Sequence, residues 1–222
     1  NTSLGHIAIH AEGFQKNMEL TTNFTMSRKI ESAVSGSKDI KSYTPRVKVQ
    51  AMVQSAQTSR GVLVVGIDPG KEKNVSSIYE YTLKKEYSRF LSGRDDKGIL
   101  ISKTLAKKLD LLAGDKLVLM LQDKNNEIQA AGMTVIGLYE SPVDSFDKFV
   151  VFTGIHTIQQ ISGIGDRISE LTVIAHDRKN VDSIKQSLIS GLNDPGLEVL
   201  SWKDMAPNLV SAIALYESMM YV

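Results

Sequence analysis

Apolar positions recur at every second residue in some parts of this chain and at every third or fourth in others, and the changes of period mark out its elements. The strictest alternation runs from Arg46 to Gln54, with Val47, Val49, Ala51 and Val53 on one side and Lys48, Gln50, Met52 and Gln54 on the other, which predicts a half-buried strand. Ser59-Arg60-Gly61 is placed to turn it into Val62–Ile67, apolar throughout and therefore predicted to be central, and Asp68-Pro69-Gly70 stops that run. Upstream, His6–Ala11 predicts a first strand. Asn23 or Thr25 is then available to cap a helix carrying Met26, Ile30, Ala33 and Val34 at helical spacing, closed by Gly36, and 40–45 extends the chain again.

The unit from Gly98 to Tyr139 reads as strand, short helix, turn and hairpin. Ile99–Ile101 is apolar, Ser102 is a helix cap, and Leu105 and Leu109 lie four apart with lysines opposite. Gly114-Asp115 turns the chain into alternating Leu117, Leu119 and Leu121. Asn125-Asn126 folds it back into a strand from Glu127 to Tyr139, with Gly132 a candidate bulge. Small β-barrels of transcription factors and ATPase adaptor domains use the same sequence of elements, so this unit alone is not diagnostic. Residues 71–94 are polar with little periodicity and read as a long surface connection, with one helical turn around Ser76–Thr82. After Ser141-Pro142, Phe149–Phe152 predicts a strand. A helix near Ile155–Ile161, a strand at Leu171–Ala175, a helix with Val181, Ile184 and Leu188 and a strand at Leu197–Leu200 follow.

The fold class these patterns predict is α+β. Both ends of the chain, 1–46 and 148–222, form a split α+β subdomain, and 47–147 form an inserted, smaller β-rich subdomain. The last helix starts near Lys203, with Ser201 or Asp204 to cap it. Its positions Met205, Leu209, Ala212, Tyr216 and Met219 alternate spacings of four and three, the seam of a helix that packs on another helix. Beyond Leu215 it is apolar on nearly all sides and has no C-cap, as expected just before a transmembrane span or in a truncated core helix. With the absence of an initial methionine, this leads to the expectation that the chain is a piece of a longer protein.

Composition narrows the functional classes. Of 222 residues 42% are hydrophobic and 23% charged, which suits a folded chain, and 26 basic against 25 acidic residues leave no general field for nucleic acid or an anionic membrane. Cysteine is absent, which excludes disulfides and thiolate chemistry. No apolar run reaches the roughly 20 residues of a membrane-spanning helix. Neither a phosphate-cradling G-x-x-x-x-G-K-[ST] loop nor a G-x-S-x-G elbow occurs, so the expectation is a domain without catalysis, cofactor or ATP site of its own. His6 and His10 share a strand face, but four residues along a strand separate them by about 13 Å. They are read as ordinary surface or edge histidines, and no metal is expected. Asp144 and Asp147 flank Phe146 and are assigned to turn formation. Phe14, Phe24, Met52 and Phe146 are assigned to core packing unless exposed. Trp202, the only tryptophan, is placed to lock the final helix to the core.

Several stretches occurring in order carry a resemblance. They are Gly5–Ala11, Val65-Gly66-Ile67-Asp68-Pro69, Gly98–Ser102 through Ala113-Gly114-Asp115-Lys116, Thr134–Gly137, and Ser201-Trp202-Lys203 followed by Pro207 and Glu217–Met220. Together they resemble the extracytoplasmic domain of ABC-transporter permeases of the lipoprotein-releasing type, within the macrolide-exporter and cell-division permease superfamily. The resemblance implies a porter-like α+β subdomain with a smaller β-rich one, lying in the periplasm between the first two of four transmembrane helices of a bacterial inner-membrane protein. It implies a separate cytoplasmic ATPase subunit, a second permease subunit, and lipoprotein or a periplasmic carrier as further partners, with the domain transmitting movement to cargo. On this reading Trp202, Met205, Leu209 and Tyr216 couple to the membrane helix, and Lys124, Asn125 and Asn126 form a partner-facing hairpin. Family members that hand lipoprotein to a soluble carrier have a long hook at that hairpin. Here Gln122–Ile128 leaves only a tight turn, which points to a subunit that receives cargo or to another cargo. The same architecture exporting drugs, peptides or toxins is the alternative within the family; a soluble β-barrel adaptor or regulatory module is the alternative outside it.

Overall fold

A computed structural model of the chain describes residues 5–84, 88–93 and 97–205. Its centre is one strand, β3 (Ile40–Gln54), which merges the two extended stretches read separately in the sequence. Its first part pairs with β10 (Glu170–Ala175), which pairs in turn with β1 (Ile7–Ala11), and β1 with β11 (Leu197–Ser201), all antiparallel. Helix α2 (Arg28–Ser35) connects β1 to β3, and α8 (Val181–Leu192) connects β10 to β11. The spatial order β11-β1-β10-β3 makes these two β-α-β units interleave, the split arrangement of ferredoxin-like sheets. Ile7, Ile9, Leu171 and Val173 face Ile30 and Val34 of α2 and Ile184, Leu188 and Leu192 of α8 in one core. The four apolar side chains that α8 buries contribute about 1.5–3 kcal/mol each.

The second part of β3 enters a closed barrel. From Arg46 it pairs with β4 (Ser59–Ile67), and its end pairs with β6 (Lys116–Gln122). The circuit is completed by β8 (Val150–Gly154), β5 (Gly98–Ser102) and β7 (Ile128–Tyr139), in the order β3-β4-β8-β5-β7-β6 and back to β3. The alternating residues Val49, Val53, Leu117, Leu119 and Leu121 fill its interior with Leu105 and Leu109 of α5 (Lys103–Leu109), which Ser102 caps through Leu105 N–H at 2.9 Å. Strand β8 thus lies within the barrel ladder, and the helix after it, α7 (Ile155–Ser162), packs on β3, β4, β7 and β8 with Ile158 fully buried.

Several local expectations are corrected. The β3–β4 turn is made by Ser55–Thr58, with Ser55 N–H bonded to Thr58 O, and Ser59-Arg60-Gly61 is already strand. The α2 cap is Ser27, whose hydroxyl accepts the Ile30 N–H, instead of Asn23 or Thr25. Gly132 sits in regular register; the irregularity falls where β5 steps from Val135 to Gly137 of β7. Residues 71–94 are not merely a surface connection. The described part contains the expected helical turn, α4 (Ile78–Tyr81), adds α3 (Pro69–Glu72), and buries Val75, Ile78, Phe90 and Leu91. Of these, Ile78, Phe90 and Leu91 join a second core on the outer side of β4, β5 and β8. The strip is laid so close that a Cβ on Gly137 would stand 2.1 Å from Arg89 O, so β7 needs glycine there. Phe14 and Phe24 are buried, Phe146 packs between Tyr139 and Phe152, and Met52 is 44% exposed. Asp147 accepts the Ser141 N–H and hydroxyl at 3.0 and 2.7 Å, fixing the turn after β7.

Candidate functional site

Arg46 stands where β3 changes partners: it lies opposite Glu170 of β10 on one side and Ile67 of β4 on the other. Immediately after β4, Asp68 caps α3 by accepting the N–H groups of Gly70 and Lys71, and the single turn that follows carries Glu72 back over β3. The result is a buried ion cluster at the corner between open sheet and barrel. Arg46 Nε and Nη2 fork onto the two oxygens of Glu72 at 3.1 and 2.5 Å, and Nη1 reaches Glu170 Oε1 at 3.2 Å. Glu170 Oε1 also accepts from Thr172 Oγ1 at 2.7 Å, while its Oε2 meets Lys48 Nζ at 2.5 Å and His10 Nε2 at 2.8 Å. Arg46 and Glu72 are wholly buried and Glu170 is 3% exposed.

Charges this deep are tolerated only when paired and hydrogen-bonded. Burial works against the Arg46 guanidinium, but Glu72 and Glu170 outweigh it and push its pKa above the ordinary arginine value. Burial likewise opposes charge on Glu170, yet Lys48, the hydrogen bond from His10 and Arg46 together hold its carboxyl well below the usual carboxylate range. Four donors fill the acceptor positions of Glu170, and together these bonds fix β1, β10, β3 and α3 to one another.

The histidines correct the expectation of surface or edge positions. His10 is fully buried in this cluster, its ring stacked on Phe14 at 5.2 Å. His6 is also buried, beside the Ala175 N–H and Arg178 Nε. Desolvation and Arg178 lower its pKa. Among the described residues no group of three or more His, Asp or Glu is arranged to hold a metal.

The residues singled out in the sequence fall in two other places. Trp202 is half-buried in α9 (Trp202–Met205), and its backbone N–H bonds to His6 O. Ser201 and Asp204 both take part in the helix start: Asp204 Oδ2 accepts the Ser201 N–H and hydroxyl at 2.6 Å each. Burial raises Asp204, but Lys185 and Ser201 prevail and take its pKa down to about 2. Met205 is half-buried, and Leu209 and Tyr216 lie outside the described residues. Lys124, Asn125 and Asn126 are exposed at the β6–β7 turn. Asp123 shapes that turn by accepting the N–H groups of Asn125 and Glu127 and the Gln129 amide, and Glu127 N–H above all holds its carboxyl below the ordinary value. The tip is tied down, since Lys124 N–H bonds to Ser162 O at the end of α7. A cleft of about 210 Å³ lies beside it, between Asn17–Thr21 and Gln122, Asp123 and Asn126. The structure therefore does not bring hairpin and Trp202 into one site, and the most constrained polar group, Arg46 with Glu72 and Glu170, was not singled out in the sequence. Arg46 and Lys48 stand at alternate positions on the polar face of β3 with Gln50 and Gln54, so the pattern carries no signal that sets them apart.

Residues 2–190 match the family model of the MacB-like periplasmic core domain. The chain is 24% identical over 225 residues to the lipoprotein-releasing system transmembrane protein LolC of Neisseria meningitidis serogroup B, covering 98% of this chain and 52% of LolC. It is 27% identical over 105 residues to LolE of the same system in Haemophilus influenzae, covering 47% of this chain and 24% of LolE. The chain thus spans about half the length of the first relative and a quarter of the second. Among solved structures it resembles the periplasmic region of MacB from Actinobacillus actinomycetemcomitans, with TM-score 0.57 and 15% identity over 94% of this chain and 92% of that one. It also resembles the extracellular domain of the noncanonic ABC-type transporter YknZ from Gram-positive bacteria, with TM-score 0.56 and 14% identity over 88% and 99%. At such identities the two structures speak for the α+β fold.

Proposed function

The chain belongs to the MacB-like periplasmic core domain family, and from that premise we propose that it couples ATP hydrolysis in a separate cytoplasmic subunit to release of lipoproteins from the inner membrane. The observation that carries the choice of cargo is the match to LolC over 98% of the chain, joined by LolE of the same system. The domain acts mechanically and catalyses nothing itself. It receives movement through the segment after β11 and passes it on through a body stiffened at the Arg46 corner. Trp202 and Met205, with Leu209 and Tyr216 further along, form the coupling segment. Lys124, Asn125 and Asn126 face a partner, a second permease subunit or a carrier. We divide the chain into the split sheet and an inserted barrel as expected from sequence, with β8 assigned to the barrel because it pairs there with β4 and β5.

The experiment is release of a labelled lipoprotein from inner-membrane vesicles containing the full-length permease and its ATPase subunit, run beside a drug-susceptibility assay in cells lacking the permease. ATP-dependent release that is lost when this domain is deleted supports the proposal. Unimpaired release together with increased drug, peptide or toxin sensitivity replaces lipoprotein by those cargoes. A stoichiometric ATP complex of the isolated chain would overturn the non-catalytic role.

A further inference from the structure

The corner cluster continues across the open sheet. Glu198 of β11 lies directly opposite His10 of β1, His10 opposite Glu170 of β10, and Glu170 opposite Arg46 of β3, so four ionisable side chains form one transverse row on one face. Each link of the row is a hydrogen bond except the outermost. Among the described residues His10 Nδ1 and Glu198 Oε2 are both buried without a hydrogen-bond partner, on neighbouring residues of paired strands. They belong to residues directly opposite each other in the ladder, and each buried atom left without a partner costs its desolvation.

Tautomer and charge explain the pair. Glu170 is an acceptor crowded by cations, so the bond at 2.8 Å places a hydrogen on His10 Nε2. A neutral ring then has a bare lone pair at Nδ1, which can accept but not donate, and Glu198 opposite can also only accept. The described charged groups around the ring are Glu170 from β10, Glu198 from β11, Arg46 and Lys48 from β3 and Glu72 from α3, while α1 (Phe14–Asn17) contributes the Phe14 ring. That is two cations against three carboxylates, one formal negative charge in excess. A proton on Nδ1 cancels the excess and supplies the donor that Glu198 lacks.

We propose that His10 and Glu198 form a proton-operated latch: protonation of His10 Nδ1 draws Glu198 into a hydrogen bond and ties the edge strand β11 to β1. Among the described residues strand β11 has one ladder neighbour, and it runs directly into Trp202, so the latch sets how firmly the start of the last helix is held. The latch is independent of the cargo and of any coupling role.

The test is a 15N imidazole titration of the 222-residue chain, with amide exchange of residues 197–201, in the wild type, E198Q and H10Q. Between about pH 7.5 and about pH 5.5 the β11 amides of the wild type should become about tenfold better protected after correction for intrinsic exchange, in step with the appearance of a second imidazole proton on His10. E198Q should abolish the gain in protection. H10Q should abolish the gain as well. E198Q replaces a half-buried side chain by its isostere, and its amide dispersion at neutral pH reports folding; should H10Q fail to fold, E198Q alone decides. A His10 that stays neutral until the chain unfolds, or an equal gain in E198Q, overturns the latch.

Discussion

Replacing Arg46 by Met removes the guanidinium and keeps much of the aliphatic stem, so it isolates the charge. The two carboxylates it leaves are not in equal difficulty. Glu170 keeps Lys48, His10 and Thr172, whereas Glu72, fully buried, has both oxygens on Arg46 and no other side-chain or backbone donor among the described residues. Stranding one buried carboxylate costs about 3–5 kcal/mol, a large part of the about 5–15 kcal/mol available to a folded domain. With an unfolding entropy of about 2.1 cal/mol/K per residue, the 222 residues give about 0.5 kcal/mol/K, so Tm should fall by about 6–10 °C. Urea unfolding followed by circular dichroism measures the free energy, and coincidence with Trp202 fluorescence checks two-state behaviour. The companion R46M/E72M removes both members of the fork and should recover at least about 2 kcal/mol of the loss, because an apolar pair of similar volume has no charge to desolvate. An R46M loss below about 1 kcal/mol, or a double variant no more stable than the single one, would refute the claim that paired charge holds this corner.

Three further outcomes follow from particular contacts. G137A places a Cβ 2.1 Å from Arg89 O and should cost about 1–3 kcal/mol in urea unfolding, with increased proteolysis in 88–93; an unaffected variant would contradict the close approach. I158A opens a cavity where α7 packs on β4 and should cost about 2–5 kcal/mol, whereas N126G, at a residue already at φ 63°, should change stability by less than about 1 kcal/mol. On acidification, His6, whose folded pKa lies below its ordinary 6.5, stays unprotonated in the fold while the unfolded chain takes up a proton, so stability should begin to fall below about pH 6.5. Glu170, depressed from 4.5, adds its loss only at lower pH; H6Q should flatten the upper part of the curve and leave the lower part, and a profile flat from about pH 7 to 4 would contradict both directions.

The elements legible in the sequence are those whose burial has a local period. Val47 to Val53 and Leu117 to Leu121 alternate because a barrel wall has an inside and an outside; Val181, Ile184 and Leu188 recur at helical spacing because α8 lies on a sheet. Ile78, Phe90 and Leu91 follow no period, since each is buried against the second core that its segment happens to cross, and the polar residues around them read as surface. Closure of the barrel through β3 and β6 joins segments more than sixty positions apart, beyond any local pattern. The buried row escaped for another reason: Arg, Glu and His are read as exposed unless something says otherwise, and their partners here come from five elements. The hairpin and Trp202 were legible as places; that Lys124 is fastened to Ser162 depends on α7 arriving from the far side of the barrel.

The shared strand restricts how such a domain can move. A hinge needs a few residues free to change φ and ψ, and at the crossing between sheet and barrel Arg46 is paired on both edges, Pro45 continues the β10 ladder, Val47 continues the β4 ladder, and the Arg46 side chain is locked to Glu72 and Glu170. Rotating the barrel against the sheet would break strand pairs and the fork at once, a cost of several kcal/mol before any new contact forms. Among the described residues β11 pairs on one side only, so displacing it breaks a single ladder. The end of the sheet next to Trp202 is therefore where, among the described residues, displacement breaks the fewest strand pairs.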